Sequence, residues 1–78
     1  MQVSIKYFAS LRELIGESST QINIDETSSV DDLWKKIKVE KNIEFENVMA
    51  TVNMQYVKAN HQLHEGDEVA FFPPVTGG

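Results

Sequence analysis

Residues 3–8, Val-Ser-Ile-Lys-Tyr-Phe, alternate apolar and polar positions. The alternation predicts a half-buried strand with Val3, Ile5 and Tyr7 on its inner face. Ser10-Leu11-Arg12-Glu13 then has the spacing of a capping box, and Gly16 suits a helix C-terminus, so a helix of about two turns is expected. Residues 20–24, Thr-Gln-Ile-Asn-Ile, alternate again and predict a second strand. So little chain joins the two strands that they are expected to pair antiparallel. Ser29-Val30-Asp31-Asp32 is a second capping box and opens the main helix. Val30, Leu33, Trp34 and Ile37 recur at i, i+3, i+4 and i+7, one apolar stripe facing a core. Asp31 and Asp32 precede Lys35, Lys36 and Lys38, an order that complements the helix dipole. Residues 35–47 lose clear periodicity, so the helix is expected to end near Lys41 or Asn42. Residues 49–53 read as a strand ending on Asn53 as a turn residue, and residues 55–58 as a short edge strand. A turn over residues 63–67 leads into a last strand at 67–72.

The order β-α-β-α-β-(β)-β predicts an α+β roll, with one main helix packed on a sheet of four to five strands. Seventy-eight residues make a single domain. The chain has no cysteine, which removes disulfides, a thiol nucleophile and cysteine-based metal sites, and suits a reducing cytoplasm. Its start lacks the apolar run of a signal peptide, and no window approaches the ~20 apolar residues of a membrane span. The net charge of −5 disfavours nucleic acid, which needs clustered Lys or Arg. The acidity either assists encounter with a basic protein partner or serves only solubility.

Side chains suited to chemistry are few. His61 and His64 lie near a turn, with no companion ligands at metal-site spacing, and read as solvated turn residues. No Ser-His-Asp arrangement is suggested, and Gly66 reads as a turn glycine rather than part of a phosphate loop. Trp34 reads as core, and Met49 and Met54 as core or rim. The aromatic pairs are more informative. Tyr7-Phe8 and Phe71-Phe72 are each adjacent in a strand, so each pair must split between two faces. With Tyr7 and one of the late pair inside, Phe8 and the other lie outside. Tyr56, on the edge segment, is expected to join them in a docking patch.

The last strand runs into Pro73-Pro74-Val75-Thr76-Gly77-Gly78. The prolines hold φ near −65° and donate no ladder bond, so an extended tail over residues 73–78 is expected beyond a body of residues 1–72. Six residues span at most roughly 20 Å. Two glycines leave a terminal carboxylate without steric bulk, able to pass through a space that would exclude a Cβ. The terminus itself is therefore the expected reactive group.

The octet Phe71-Phe72-Pro73-Pro74-Val75-Thr76-Gly77-Gly78 resembles the end of the small, sulfur-carrier subunit of molybdopterin synthase, in the ubiquitin-related MoaD/ThiS-like family. The stretch from Phe8-Ala9-Ser10-Leu11-Arg12 to Gly16 resembles the family's first strand–helix junction. Leu63-His64-Glu65-Gly66-Asp67-Glu68-Val69-Ala70 and Thr51-Val52-Asn53 add to the likeness, which covers about half of the chain, whereas residues 35–47 resemble nothing in it.

The resemblance implies a β-grasp fold with a mixed sheet, the first and last strands being parallel neighbours in its middle. It implies that Gly78 is adenylated by an ATP-using, E1-like enzyme; this is the only nucleotide involvement, and no cofactor or metal is bound by the chain itself. A sulfur donor protein would then convert Gly78 to a thiocarboxylate. The tail (Pro73, Pro74, Val75, Thr76, Gly77) would enter a channel of the large synthase subunit. Sulfur would pass there to cyclic pyranopterin monophosphate, building the dithiolene of molybdopterin. Phe8, Tyr56 and Phe72 would dock on the partners, the assembly would be a heterotetramer, and the chain would be a sulfur-donor subunit, not an enzyme alone. The alternatives are a carrier for thiamine or tRNA thiolation, a ubiquitin-like modifier of lysines, and an inert ubiquitin-like interaction domain, which would not need a free Gly-Gly end.

Overall fold

A computed structural model of the chain describes residues 1–45 and 47–74. The elements are β1 (Gln2–Tyr7), α1 (Ala9–Ile15), β2 (Ser19–Asn23), α2 (Val30–Lys41), β3 (Met49–Val52), β4 (Gln55–Tyr56) and β5 (Glu68–Phe72). They form a mixed sheet in the order β2-β1-β5-β3-β4. β1 pairs antiparallel with β2 and parallel with β5, and β5 pairs antiparallel with β3. The strand that leads to the tail is thus hydrogen-bonded on both sides. This is the β-grasp arrangement that the resemblance implies.

The alternation sets the core as expected. Val3, Ile5 and Tyr7 of β1, Ala50 and Val52 of β3, and Val69 and Phe71 of β5 are buried beneath α2. The helix contributes Val30, Leu33, Trp34 and Ile37, its whole predicted stripe. The Trp34 and Phe71 rings meet at 5.0 Å between centroids, so the helix and β5 hold each other. The indole N–H of Trp34 donates to the Phe45 carbonyl (3.1 Å), and Ile43, Phe45 and Val48 pack against the core. Ile43, Phe45 and Val48 are therefore tied to the body despite the segment's lack of period. Leu11 and Leu63 are also fully buried.

The caps divide. At α2 the predicted box forms: Asp32 N–H donates to Ser29 Oγ (3.2 Å), and Ser29 N–H to Asp32 Oδ2 (3.0 Å). The Ser29 N–H, and then the Ser29 hydroxyl donating to the same Oδ2 (3.1 Å), hold the Asp32 carboxyl below its usual range. Asn42 closes the helix in a left-handed conformation, φ 54°. At α1 the expected Ser10–Glu13 box is corrected. The N-cap is Phe8, which makes no side-chain cap bond, and the helix begins at Ala9. Leu11 must reach the core directly after β1, so the turn starts earlier than the Ser10 signal places it. The predicted C-terminal glycine is correct: Gly16, at φ 88°, donates its N–H to the Arg12 carbonyl (2.9 Å). The edge strand is shorter than the 55–58 expected. β4 holds only Gln55 and Tyr56, after which the chain turns towards His61.

Candidate functional site

Alternation along β1 and β5 separates the aromatic pairs as predicted. Tyr7 and Phe71 lie in the core, while Phe8 is exposed and Phe72 half-buried on the opposite face. Phe8 keeps extended dihedrals (φ −125°, ψ 155°), so the strand's alternation carries on through it. Its N–H donates to the Phe71 carbonyl (3.1 Å), which fixes it beside the end of β5. On the other side of β5, Met49 stands directly opposite Phe72 in the ladder. Tyr56 is 72% exposed and presents a near-perpendicular ring to Phe72, 5.8 Å between centroids.

Phe72 is thus the centre of an apolar surface built by three neighbouring strands. Tyr56 touches it, Met49 flanks it, and Phe8 lies across β5. The sequence leaves Met49 as core or rim; the structure puts it at the rim, and its place opposite Phe72 depends on a β3–β5 pairing that local pattern does not reveal. Further along the same outer face, Lys6 and Glu68 form an ion pair (3.3 Å), so the face grades from charged to aromatic towards the tail. Pro73 and Pro74 follow immediately, Pro74 exposed. The predicted tail residues Val75, Thr76, Gly77 and Gly78 lie outside the described residues.

The remaining candidates are dispersed. His61 and His64 are exposed, and His64 uses its backbone N–H to donate to Asp67 Oδ2 (2.8 Å) in the turn before β5. Among the described residues no cluster of three or more metal-ligating side chains occurs. No helix among them is long and apolar enough to cross a membrane. The phenol of Tyr7 is pushed up to about 12 by burial, with the charges of Glu17 and Glu40 adding to the effect. That hydroxyl stays protonated and suits a core role. What the described residues offer is an exposed apolar face at the end of β5, next to Pro73 and Pro74.

Known proteins resemble the chain in sequence and in fold. The model of the ThiS family matches residues 5–78. The chain is 37% identical to the molybdopterin synthase sulfur carrier subunit of Escherichia coli, over 97% of this chain and 99% of that protein. It is 29% identical to small archaeal modifier protein 3 of Haloferax volcanii, over the full length of both. Among solved structures, SAMP1 of Haloferax volcanii superposes with a TM-score of 0.83 at 22% identity, covering both chains completely, a likeness of fold. The chain belongs to the ThiS family.

Proposed function

We propose that this ThiS-family chain is the sulfur-carrier subunit of a molybdopterin synthase, with the Gly78 carboxylate as the sulfur-bearing group. The observation that carries the reading is the octet from Phe71 to Gly78. It places a strand locked in the middle of the sheet, two prolines and two glycines in succession, within a chain similar throughout to proteins named as such carriers. A carboxylate is a poor acyl donor. Adenylation by an ATP-using, E1-like partner would make Gly78 electrophilic. The outer sulfur of a donor persulfide would then displace AMP to give an acyl disulfide, and a second thiol would cleave its S–S bond, leaving the thiocarboxylate and a protein disulfide. The chain's own residues bind and position. Phe8, Met49, Tyr56 and Phe72 would dock the partner, the anchored β5 would fix the tail's origin, and Pro73 and Pro74 would direct it into the large subunit. There the thiocarboxylate would donate sulfur to cyclic pyranopterin monophosphate. The chain would do no chemistry alone, would hold no cofactor, and would work in the cytoplasm within a heterotetramer.

The test is dithiolene formation by the purified large subunit supplied with thiocarboxylated carrier and cyclic pyranopterin monophosphate. Product in proportion to the carrier added supports the reading. Covalent adducts on protein lysines in place of product would favour a modifier, a role named in the archaeal relative. Thiolated thiazole or tRNA in place of dithiolene would assign a different acceptor.

A further inference from the structure

The tip of the β3–β4 hairpin is built against the usual preference for such a turn. Asn53 and Met54 connect the strands, both with positive φ, 50° and 71°. A two-residue turn of this kind favours asparagine first and glycine second. A methionine in the second position keeps a long side chain in a backbone region that disfavours any Cβ. The expected core or rim placement of Met54 is corrected here: its side chain is 88% exposed, more than any other large apolar residue among those described. Burial therefore does not account for it.

The tip is also held firmly. Asn53 N–H donates to the Glu68 carbonyl (2.8 Å), its Nδ2 donates to Asp67 Oδ1 (3.0 Å), and its Oδ1 accepts from Glu68 N–H (3.0 Å). Three bonds thus pin the turn to the start of β5, the strand that ends in Phe72. The same hairpin carries Tyr56, whose ring rests on Phe72. Because β3 and β5 are antiparallel, the tip lies at the Glu68 end, away from the tail. Four residues of strand separate it from Phe72, roughly 13 Å. A typical interface covers about 800 Å² per partner, roughly 30 Å across, so a footprint centred on Phe72 reaches the tip.

We infer that the β3–β4 hairpin is a rigid arm of the docking face, pinned by Asn53, that presents Met54 to an apolar pocket on the large synthase subunit. The inference rests on the proposed function for the identity of the partner. It adds a contact remote from the reactive end, suited to selecting the correct partner rather than to sulfur transfer. Met54 is a binding residue, and its flexible thioether suits an irregular pocket.

Met54→Gly and Met54→Ala separate docking from backbone strain. Both remove the side chain, and only glycine relieves the positive φ. In the free chain, Met54→Gly should melt about 4–8 °C above Met54→Ala. In calorimetric titration with the large subunit, both variants should bind about five- to tenfold more weakly than wild type. Phe72→Ala serves as the control. If Phe72→Ala loses affinity while both Met54 variants stay within about twofold of wild type, the arm is not a contact and the inference falls alone. If the wild-type chain does not bind the large subunit, the proposed function fails and takes the inference with it.

Discussion

Phe72 shows how one residue joins fold to function. Its neighbour Phe71 is fully buried against Trp34, so alternation sends Phe72 outward, where Met49 and Tyr56 surround it. Aromatic anchors at interface centres contribute about 2 kcal/mol or more. Phe72→Ala should therefore weaken binding to the large subunit roughly thirtyfold. Its melting should change little, since the ring is only half-buried; unchanged affinity in calorimetry would remove Phe72 from the interface. Tyr7 makes the opposite point. Its phenol has an ordinary value near 10 and is pushed up to about 12 in the folded chain. A raised folded value means stability fully present below pH 10 and lost as pH rises through about 12, because the unfolded chain releases that proton first. Denaturant titrations should show that loss in wild type and a shallower one in Tyr7→Phe.

At the scale of elements, α2 was the most legible. Its capping box and apolar stripe signalled the same helix, and both form. Trp34→Ala should cost about 3–5 kcal/mol, a large share of the roughly 5–15 kcal/mol that stabilises a typical domain. Near-wild-type melting of that variant would show that the α2–β5 contact is not central to the core. The failures have physical causes. The Ser10–Glu13 signal at α1 yielded to the burial of Leu11, a tertiary demand that no local motif encodes. The order of the central strands, and with it the meeting of Met49 and Phe72, depends on pairings between distant segments. The stretch after α2 carries no period because single contacts hold Ile43, Phe45 and Val48, such as the Phe45 carbonyl accepting from the Trp34 indole. Met54 defied its type because the turn, not the hydrophobic effect, decides its place.

For the whole molecule, the proposed function makes the body a platform and the tail a delivery device. β5 lies between β1 and β3 and is clasped from beneath by Trp34, so its end is a fixed origin for residues 73–78. On the proposed function, deleting Gly78 would draw the terminal carboxylate back by about 3.5 Å and should abolish sulfur transfer, since near-attack geometry tolerates little displacement. Gly77→Val should do the same by widening a tail that must fit a narrow channel. Both variants should remain folded and keep their affinity for the large subunit, because the docking face lies on the body. On the proposed function, sulfur travels on the carboxyl group of Gly78. The most direct test of this claim is the intact mass of the chain after incubation with ATP, its adenylating enzyme, a persulfide donor and a thiol reductant. On this reading one oxygen is replaced by sulfur, localised to Gly78 by fragmentation and absent without ATP. An unchanged mass with a competent enzyme, or sulfur found on any other residue, would contradict it.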